Sequence, residues 1–202
     1  MTAKKIILAS GNEGKLKEFS SAFGGLNIEL VPQPKSAEYE VEETGSTFVE
    51  NAIIKARHAS LLSGLPALAD DSGLIVPVLQ GQPGVRSARY SGEAATDQEN
   101  LSLLLKNMQD INHQEDRSAH FYCCLVLMQH HQDPDPIIAK GMWYGRISET
   151  ASGNSGFGYD PIFYVPTYQC TAAELDKATK QEISHRAQAI QALAQLISKN
   201  QA

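Results

Sequence analysis

The segment KKIILASGNEGKLKEFSSAFGGLNIELV, residues 4–31, decides the fold class of this chain. Its apolar run at 6–9 predicts a short buried strand, and residues 15–23 carry a helical pattern that ends at a Gly-Gly pair. Residues 26–31 predict a second strand. Strand and helix patterns go on alternating along the rest of the chain, which predicts an α/β fold.

Helix starts are marked by a recurring capping-box pattern, in which Thr is followed three residues later by Glu. The Thr hydroxyl accepts from a free backbone N–H, and the Glu side chain reaches back to the start of the helix. The four occurrences predict helices at 47–63, 96–109, 171–177 and 180–198.

Extended apolar segments supply the remaining strands. They are predicted at 65–69, 74–77, 119–128 and 137–147. The last two are joined by a loop containing Asp and Pro, which predicts a hairpin connection. The region of about 115–165 is richer in strands than the rest, so we expect it to form a second lobe within a single domain, 1–202.

Composition limits the classes of function. The 202 residues are 42% hydrophobic and 20% charged, as in globular proteins. A formal net charge of −6 without basic runs disfavours a nucleic-acid-binding protein. The three cysteines form no CxxC pair, so neither a thiolate zinc site nor a disulfide framework is expected. No apolar run approaches the ~20 residues of a membrane span or makes a signal peptide, so we expect no membrane association and a cytoplasmic protein.

A loop with the features of a phosphate site follows the first strand. It consists of Ser10, Gly11, Asn12, Glu13, Gly14 and Lys15. Glycines allow the backbone to approach a phosphate, the following helix start offers N–H groups, and the lysine adds a full charge. The spacing is not that of a Walker A loop. The alternative is an ordinary turn between a strand and a helix.

Acidic residues follow later in the chain. Asp70 and Asp71, with Ser72 after them, come at the end of an apolar run. Two carboxylates at a strand end suit Mg²⁺, and one of them could instead deprotonate a water molecule. Glu42 and Glu43 precede a helix and could add a metal ligand. The alternatives are an Asx turn at 70–73 and a solvated acidic loop at 42–45.

The helix predicted at 47–63 carries a further candidate. Lys55 shares a face with Asn51 and His58, while Phe48 and three alanines lie on the opposite, buried face. A lysine on a helix is usually exposed to solvent, so Lys55 is a candidate only in combination with the acidic residues.

The carboxyl-terminal part contains a glycine-rich loop with aromatic residues. Phe157 or Tyr159 could stack on a planar base, and Asp160 could accept from ring N–H groups. Lys180 and Arg186 could both project toward one anionic or carbonyl-rich ligand. The alternatives are a connecting surface loop and a solvent-facing helix surface.

Taken together, these motifs resemble those of the inosine triphosphate pyrophosphatase family, in its bacterial branch. The matching stretches are ASGNEGKLKEF (9–19), EETGSTFVENAIIKARHAS (42–60), ALADDSGLIV (67–76), PGVRSARYSGE (83–93), GFGYDPIF (156–163) and SHRAQA (184–189). They occur in the family's order and cover nearly the whole chain, with no departure at the motif residues.

The resemblance implies an elongated mixed β-sheet flanked by helices, with two lobes and a central cleft, assembled as a homodimer. It implies hydrolysis of ITP, dITP and XTP to the monophosphate and pyrophosphate with Mg²⁺ as cofactor. The protein would then remove non-standard purine nucleotides from the nucleotide pool.

The resemblance also implies a role for each candidate. Asp71 would be the catalytic carboxylate that activates water or holds the metal, and Glu42 or Glu43 would share the metal. The residues expected to bind the phosphates are Ser10, Gly11, Asn12, Glu13, Gly14, Lys15 and Lys55, with Ser72 beside Asp71. Those expected to bind the base are Phe157, Gly158, Tyr159, Asp160, Lys180, His185 and Arg186.

Two other functions remain open from the sequence. A pyrophosphatase for other modified nucleotides would use the same phosphate and metal chemistry and would differ in its substrate profile. A non-hydrolytic nucleotide-binding module would bind nucleotide tightly without turnover. The combination of two lysines with two carboxylates favours an enzyme, because a binding module has no need of it.

Overall fold

Seven strands and five α-helices form over residues 3–200, the part of the chain that the computed structural model describes. The strands are β1 (Lys4–Leu8), β2 (Ile28–Pro32), β3 (Ala67–Ile75), β4 (Ser118–Met128), β5 (Ile137–Ile147), β6 (Phe163–Val165) and β7 (Cys170–Thr171). The α-helices are α1 (Glu13–Phe23), α2 (Phe48–Ser63), α3 (Asp97–Asn107), α4 (Lys177–Ile183) and α5 (His185–Asn200). Short 3₁₀ helices lie at Ala37–Tyr39, Pro77–Leu79, Gly84–Arg89, Glu115–Arg117 and Asp160–Ile162.

The strands form one mixed sheet in the order β2-β1-β3-β4-β5-β6-β7. β1 pairs in parallel with β2 and with β3, whereas β6 is antiparallel to both β5 and β7. The predicted α/β class and mixed sheet are therefore confirmed. Within residues 3–200, every helix is too short or too polar to cross a membrane.

The chain divides into two compact units. The first contains the described residues up to Asp71, Cys123–Gly141 and those from Gln188 onward, and the second contains Ser72–Tyr122 and Met142–Ala187. These bounds differ from the lobe expected at about 115–165, because the long strands β4 and β5 each contribute to both units. The predicted cleft stays a prediction.

Each unit has its own apolar core. The core of the first is built from side chains of β1, α1, β4 and α5, among them Leu8, Phe19, Phe23, Leu125 and Leu193. Cys123 and Cys124 are fully buried, and neither forms a disulfide. The core of the second unit includes Leu74, Leu104, Phe121, Trp143, Ile162 and Phe163.

Register within the first unit places the candidate phosphate loop. In the parallel pair of β1 and β3, Leu8 lies opposite Leu68, and the Ala9 N–H donates to the Leu68 carbonyl at 2.8 Å. The loop that begins at Ser10 therefore leaves the sheet beside the Asp70 position of β3, because parallel neighbours run on in the same direction.

The two strands predicted at 65–69 and 74–77 are one, and the alternative of an Asx turn at 70–73 is wrong, since β3 runs without interruption from Ala67 to Ile75. Asp is disfavoured in strands because its side chain competes for local backbone groups. Here Asp70 and Asp71 both receive lysine partners from other elements, and the strand continues through them.

Two predicted helices are also wrong in their bounds. Thr171 and Glu174 do form the expected contact, with the Thr171 N–H donating to Glu174 Oε2 at 2.8 Å, but it closes a turn after β7. The helix begins only at α4, where the Asp176 carboxylate accepts from the Thr179 N–H at 3.0 Å. The long helix predicted at 180–198 is interrupted at Ser184, whose ψ of 157° is extended.

Candidate active site

A lysine held between two carboxylates forms the centre of the polar cluster in the first unit. Lys55 lies on α2, and its Nζ donates to Asp71 Oδ1 at 2.8 Å and to Glu43 Oε1 at 2.7 Å. Only 18% of the Lys55 side chain and 9% of the Asp71 side chain are exposed. A lysine that the helical pattern alone would leave in solvent is therefore held inward by two negative charges.

The helix that carries Lys55 has a fixed start. The Thr47 hydroxyl accepts from the Glu50 N–H, and the Glu50 carboxylate accepts from the Thr47 N–H, as the capping box predicted. Phe48, Ala52 and the other apolar residues predicted for the opposite face are buried. The cap and the buried face together fix the rotation of α2, which directs Lys55 toward β3.

The pKa values of the cluster follow from its burial and its charges. Burial raises the pKa of the Asp71 carboxyl above its ordinary value, against the opposing attraction of Lys55. Burial also acts to lower the pKa of Lys55, but the charge and hydrogen bond of Asp71, the hydrogen bond of Glu43 and the charge of Asp70 outweigh it, and the pKa of Lys55 is raised. Lys55 therefore stays protonated, and Asp71 is more basic than a solvated aspartate.

Asp70, the neighbouring carboxylate, has a different lysine. Lys15 Nζ donates to both Asp70 oxygens, at 2.7 and 2.9 Å, and only 2% of the Asp70 side chain is exposed. Successive side chains of a strand point to opposite faces, and Asp70 and Asp71 accordingly have different lysine partners. The joint role expected for the two carboxylates at a metal site stays a prediction.

The loop from Ser10 to Lys15 caps its own helix. Asn12 Oδ1 accepts from the Gly14 N–H at 2.8 Å and from the Lys15 N–H at 3.2 Å, while Ser10 Oγ accepts from the Asn12 N–H. Two of the N–H groups that the sequence led us to expect as open donors are therefore already paired. The Lys15 ammonium and the positive end of the α1 dipole are what the loop offers to an anion.

Two pockets lie beside these residues, and no motif in the sequence predicts them. One, of about 200 Å³, is lined by Ala9, Gln33, Tyr39, Glu40, Val41 and Lys55. The other, of about 270 Å³, is lined by Gly11, Gln33, Pro34, Lys35, Ser36, Ala37 and Glu40. Both are lined mainly by residues of the Pro-containing connection from β2 to α2. Apart from its position after a strand, nothing in the sequence of this connection predicts a pocket.

The carboxylates of the cluster fit a magnesium ion in part. Glu43 and Asp71 converge on one cation, the Lys55 ammonium, whereas the Glu42 side chain is exposed. Across residues 3–200 there is no group of three or more His, Cys, Asp or Glu side chains placed to hold a metal. Mg²⁺ commonly takes only one or two carboxylates and completes its ligands with phosphate and water, so this donor pair suits a metal that arrives with a phosphate substrate.

A second ion pair organises the glycine-rich loop of the second unit. Asp160 is buried, accepts from the Phe157 N–H at 2.8 Å and pairs with Lys180 Nζ. A Cβ on Gly156 would collide with the Asp160 carboxylate, and its φ of 84° also favours glycine. Lys180 Nζ in turn lies 5.3 Å from the centre of the Phe157 ring.

The two aromatic residues of this loop have different roles. Phe157 is 62% exposed, as stacking on a base requires. Tyr159 is only 4% exposed, and its hydroxyl donates to the Ser87 carbonyl at 2.8 Å. The expectation that Tyr159 could stack on a base is therefore wrong, because its ring is part of the core. Gly158, between them, donates its N–H to Asp97 Oδ2 at 2.7 Å.

The last two candidates begin α5. The His185 ring is buried and stacks on Phe121, with ring centres 4.9 Å apart and planes 15° apart. Arg186 follows it and is half-buried. Ser184 Oγ accepts from the Ala187 N–H at 3.3 Å, so this serine caps α5 and separates it from α4.

Ion pairs connect the candidates within each unit. In the first unit, Lys15 pairs with Asp70, and Lys55 pairs with both Asp71 and Glu43. In the second, Lys180 pairs with Asp160 and lies over the ring of Phe157. Ser72 follows Asp71, and its buried Oγ has no hydrogen-bond partner among the residues that the structure describes.

Known proteins resemble this chain over nearly its whole length. The sequence profile of the Ham1 family matches residues 6–196. The dITP/XTP pyrophosphatase of Vibrio parahaemolyticus is 53% identical over 190 residues, which are 94% of this chain and 94% of that protein. The dITP/XTP pyrophosphatase of Legionella pneumophila is 53% identical over 194 residues, covering 96% of this chain and 98% of its own.

Solved structures show the same similarity. A Ham1 protein from Coxiella burnetii has a TM-score of 0.92 and 49% identity, over 97% of this chain and 99% of that one. A nucleoside-triphosphatase/dITP/XTP pyrophosphatase from Mycobacterium abscessus has a TM-score of 0.78 and 42% identity, over 94% of this chain and 98% of that one.

Proposed function

The chain belongs to the Ham1 family, and we propose that it hydrolyses ITP, dITP and XTP to the nucleoside monophosphate and pyrophosphate. It is then a hydrolase acting on acid anhydrides, as its relatives' names support. The family assignment confirms the resemblance found in the sequence. The observation that carries the proposal is the buried cluster of Lys55, Asp71 and Glu43, because it combines a cation with a basic carboxylate.

Lys15 and Lys55 are assigned to the polyphosphate. Cleavage at the α-phosphate develops negative charge on the departing pyrophosphate, so the site needs cations and N–H donors around it. Lys15 and Lys55 supply two positive charges, and the pocket of about 200 Å³ that Lys55 lines gives room beside them. Their carboxylate partners hold both ammonium groups in place before the substrate binds.

Asp71 is assigned to proton transfer. Its carboxylate is buried and its pKa is raised, so it accepts a proton from water more readily than a solvated aspartate does. The Lys55 ammonium fixes one of its oxygens. A positioned general base of this kind contributes about 10²–10⁴-fold to the rate.

Mg²⁺ is the proposed cofactor, with Asp71 and Glu43 as its protein ligands. When bound, the ion would neutralise phosphate charge and polarise the scissile bond. Glu43 is preferred over Glu42 because the Glu43 carboxylate already contacts the cluster. Lys55 would share both carboxylates with the ion, and its ammonium would lower the negative charge available to it.

The glycine-rich loop and the start of α5 are assigned to the base. Phe157 would stack on the purine ring, and Lys180, His185 and Arg186 would supply polar contacts. Hypoxanthine and xanthine carry a 6-oxo group where adenine has an amine, so a donor such as Arg186 favours the oxo form. Asp160 is engaged by Lys180 and by the loop backbone, so we assign it to holding Lys180 rather than to the base directly.

Guanine has the same 6-oxo group, so its rejection must depend on the 2-amino group. Crowding, or a donor left without an acceptor, would supply that discrimination. We further propose that the protein acts in the cytoplasm, where it would remove non-standard purines from the nucleotide pool, and that it works as a homodimer.

A nucleotide panel tests the function. Pyrophosphate release would be measured from ITP, dITP, XTP, ATP and GTP, with Mg²⁺ and with EDTA. We expect fast release from the first three only, and only with the metal. Equal rates on ATP and GTP would refute the specificity, and release confined to other modified nucleotides would favour the related pyrophosphatases. Tight binding of ITP without any release would identify a binding module.

A further inference from the structure

We propose that Asn51 is a positioning residue that fixes the Asp71 carboxylate and ties the acidic loop of residues 42–47 to it. The inference rests on the proposed function, since it assigns Asn51 to the same reaction. Asn51 lies on α2, one helical turn before Lys55, and is fully buried.

The Asn51 amide makes two hydrogen bonds to different parts of the site. Its Nδ2 donates to Asp71 Oδ2 at 3.4 Å, and its Oδ1 accepts from the Gly45 N–H at 2.8 Å. Lys55 binds the other Asp71 oxygen. The two oxygens of the catalytic candidate are therefore each held by a side chain of α2, which restricts rotation of the carboxylate.

The contact to Gly45 requires glycine at that position. A Cβ on Gly45 would lie 2.6 Å from Asn51 Oδ1, closer than atoms of neighbouring side chains approach. The next two amides of the loop, of Ser46 and Thr47, both donate to Glu50 Oε2 at 2.9 Å. Three successive N–H groups thus fasten the loop to α2, and Glu43 lies just before them.

This arrangement couples Glu43 and Asp71 through one buried amide. If the loop moved, Glu43 would lose its position beside Lys55. If the Asn51 amide were absent, the Asp71 carboxylate could rotate away from Lys55. Removing a residue that orients ligands or catalytic groups in this way lowers activity by about 10–100-fold. We expect the cost in kcat, because the contacts of Asn51 are to the carboxylate and not to the substrate.

The test combines turnover with a measurement on the metal-free protein. For Asn51→Ala we expect kcat on dITP to fall about 10–100-fold with KM changed much less. In the same variant without metal or substrate, hydrogen exchange of the Gly45 amide, followed by NMR, should become faster. Asn51→Asp keeps the acceptor for Gly45 and loses the donor to Asp71, so its Gly45 amide should stay protected while kcat falls.

Asn100→Ala is the matched control. Asn100 is also buried on a helix, where its Oδ1 accepts from the Ser91 N–H at 2.8 Å and its Nδ2 donates to the Ala88 carbonyl at 3.0 Å. It should lose similar stability and keep kcat. Equal kcat losses in the Asn51 and Asn100 variants, or unchanged Gly45 exchange in Asn51→Ala, would overturn the inference. An inactive wild-type protein with protected Gly45 would instead count against the proposed function alone.

Discussion

Replacing Lys55 by Met should expose the energetic role of the ion cluster. Methionine keeps the apolar stem of the side chain and removes the ammonium, so Asp71 and Glu43 lose the cation that they share. Their side chains are only 9% and 24% exposed, so water solvates the two carboxylates poorly once the ammonium is gone. The change therefore leaves two poorly solvated carboxylates close together without the ammonium between them.

Removing one partner of a buried ion pair costs about 3–5 kcal/mol of the free energy of unfolding. For a chain of this size, each kcal/mol lowers Tm by about 2–4 °C, so Tm should fall by about 6–20 °C. The pKa of Asp71 is raised by burial even with Lys55 present, and without Lys55 it should rise further. A raised carboxyl pKa means stability that is present at low pH and lost as pH rises through that pKa, so the defect should be largest at neutral pH and shrink in acid.

The assay is thermal and urea unfolding in EDTA, at neutral and at acidic pH. The double variant Lys55→Met/Asp71→Asn removes one of the uncompensated charges and should recover most of the loss at neutral pH. Lys106→Met, at an exposed position of α3, is the control and should change stability by less than about 0.5 kcal/mol. A Lys55→Met protein as stable as this control, or a double variant less stable than the single one, would refute the reasoning.

Three further predictions concern other parts of the chain. The buried Arg117 donates to four backbone carbonyls, and each carbonyl left unpaired costs about 1–3 kcal/mol. Arg117→Met should therefore lower the free energy of unfolding in urea by about 3 kcal/mol or more. Arg86→Met, at an exposed position, is the control. Burial raises the pKa of Cys124 from 9.0 to about 11. As pH rises between those values, the free energy of unfolding of wild type should therefore fall by about 2–3 kcal/mol more than that of Cys124→Ala. Plots of unfolding free energy against pH that stay parallel for the two proteins would contradict this. Arg186→Ala should lower the ITP/ATP ratio of kcat/KM; a change in the Mg²⁺ requirement alone would assign Arg186 to the phosphate end.

The helices that the sequence predicted well are those whose capping contacts are local. Thr47 and Thr96 each bond a glutamate three residues later, and each begins a helix in the structure. Thr171 makes the same contact without a helix, because the chain around it pairs as a strand. The pattern predicts the hydrogen bond reliably, whereas the conformation that follows depends on partners distant in sequence.

The residue types of the site could be predicted, but their partners could not. Lys15 meets Asp70 across 55 positions, and Lys55 meets Asp71 across 16. Nothing in the sequence decides which lysine pairs with which aspartate, because only the register of β1 beside β3 and the rotation of α2 bring them together. The choice of Glu43 over Glu42 likewise depends on how the loop before α2 is held.

Residues that are equivalent in the sequence motifs differ in burial in the structure. Phe157 and Tyr159 are both aromatic and two positions apart, yet one is exposed and the other belongs to the core. The helical pattern predicts that Asn51 shares a face with Lys55. It does not predict the two hydrogen bonds of Asn51, because they depend on tertiary packing. The pockets lined by residues 33–41 were missed for the same reason.

The most direct test of the account is turnover by the Asp71→Asn protein. Pyrophosphate release from dITP and XTP would be followed beside that of wild type, with circular dichroism to show that the fold is kept. If Asp71 transfers the proton, kcat should fall by about 10²–10⁴-fold or more while dITP still binds. A folded Asp71→Asn protein with near-wild-type kcat would contradict the assignment of the reaction to this carboxylate.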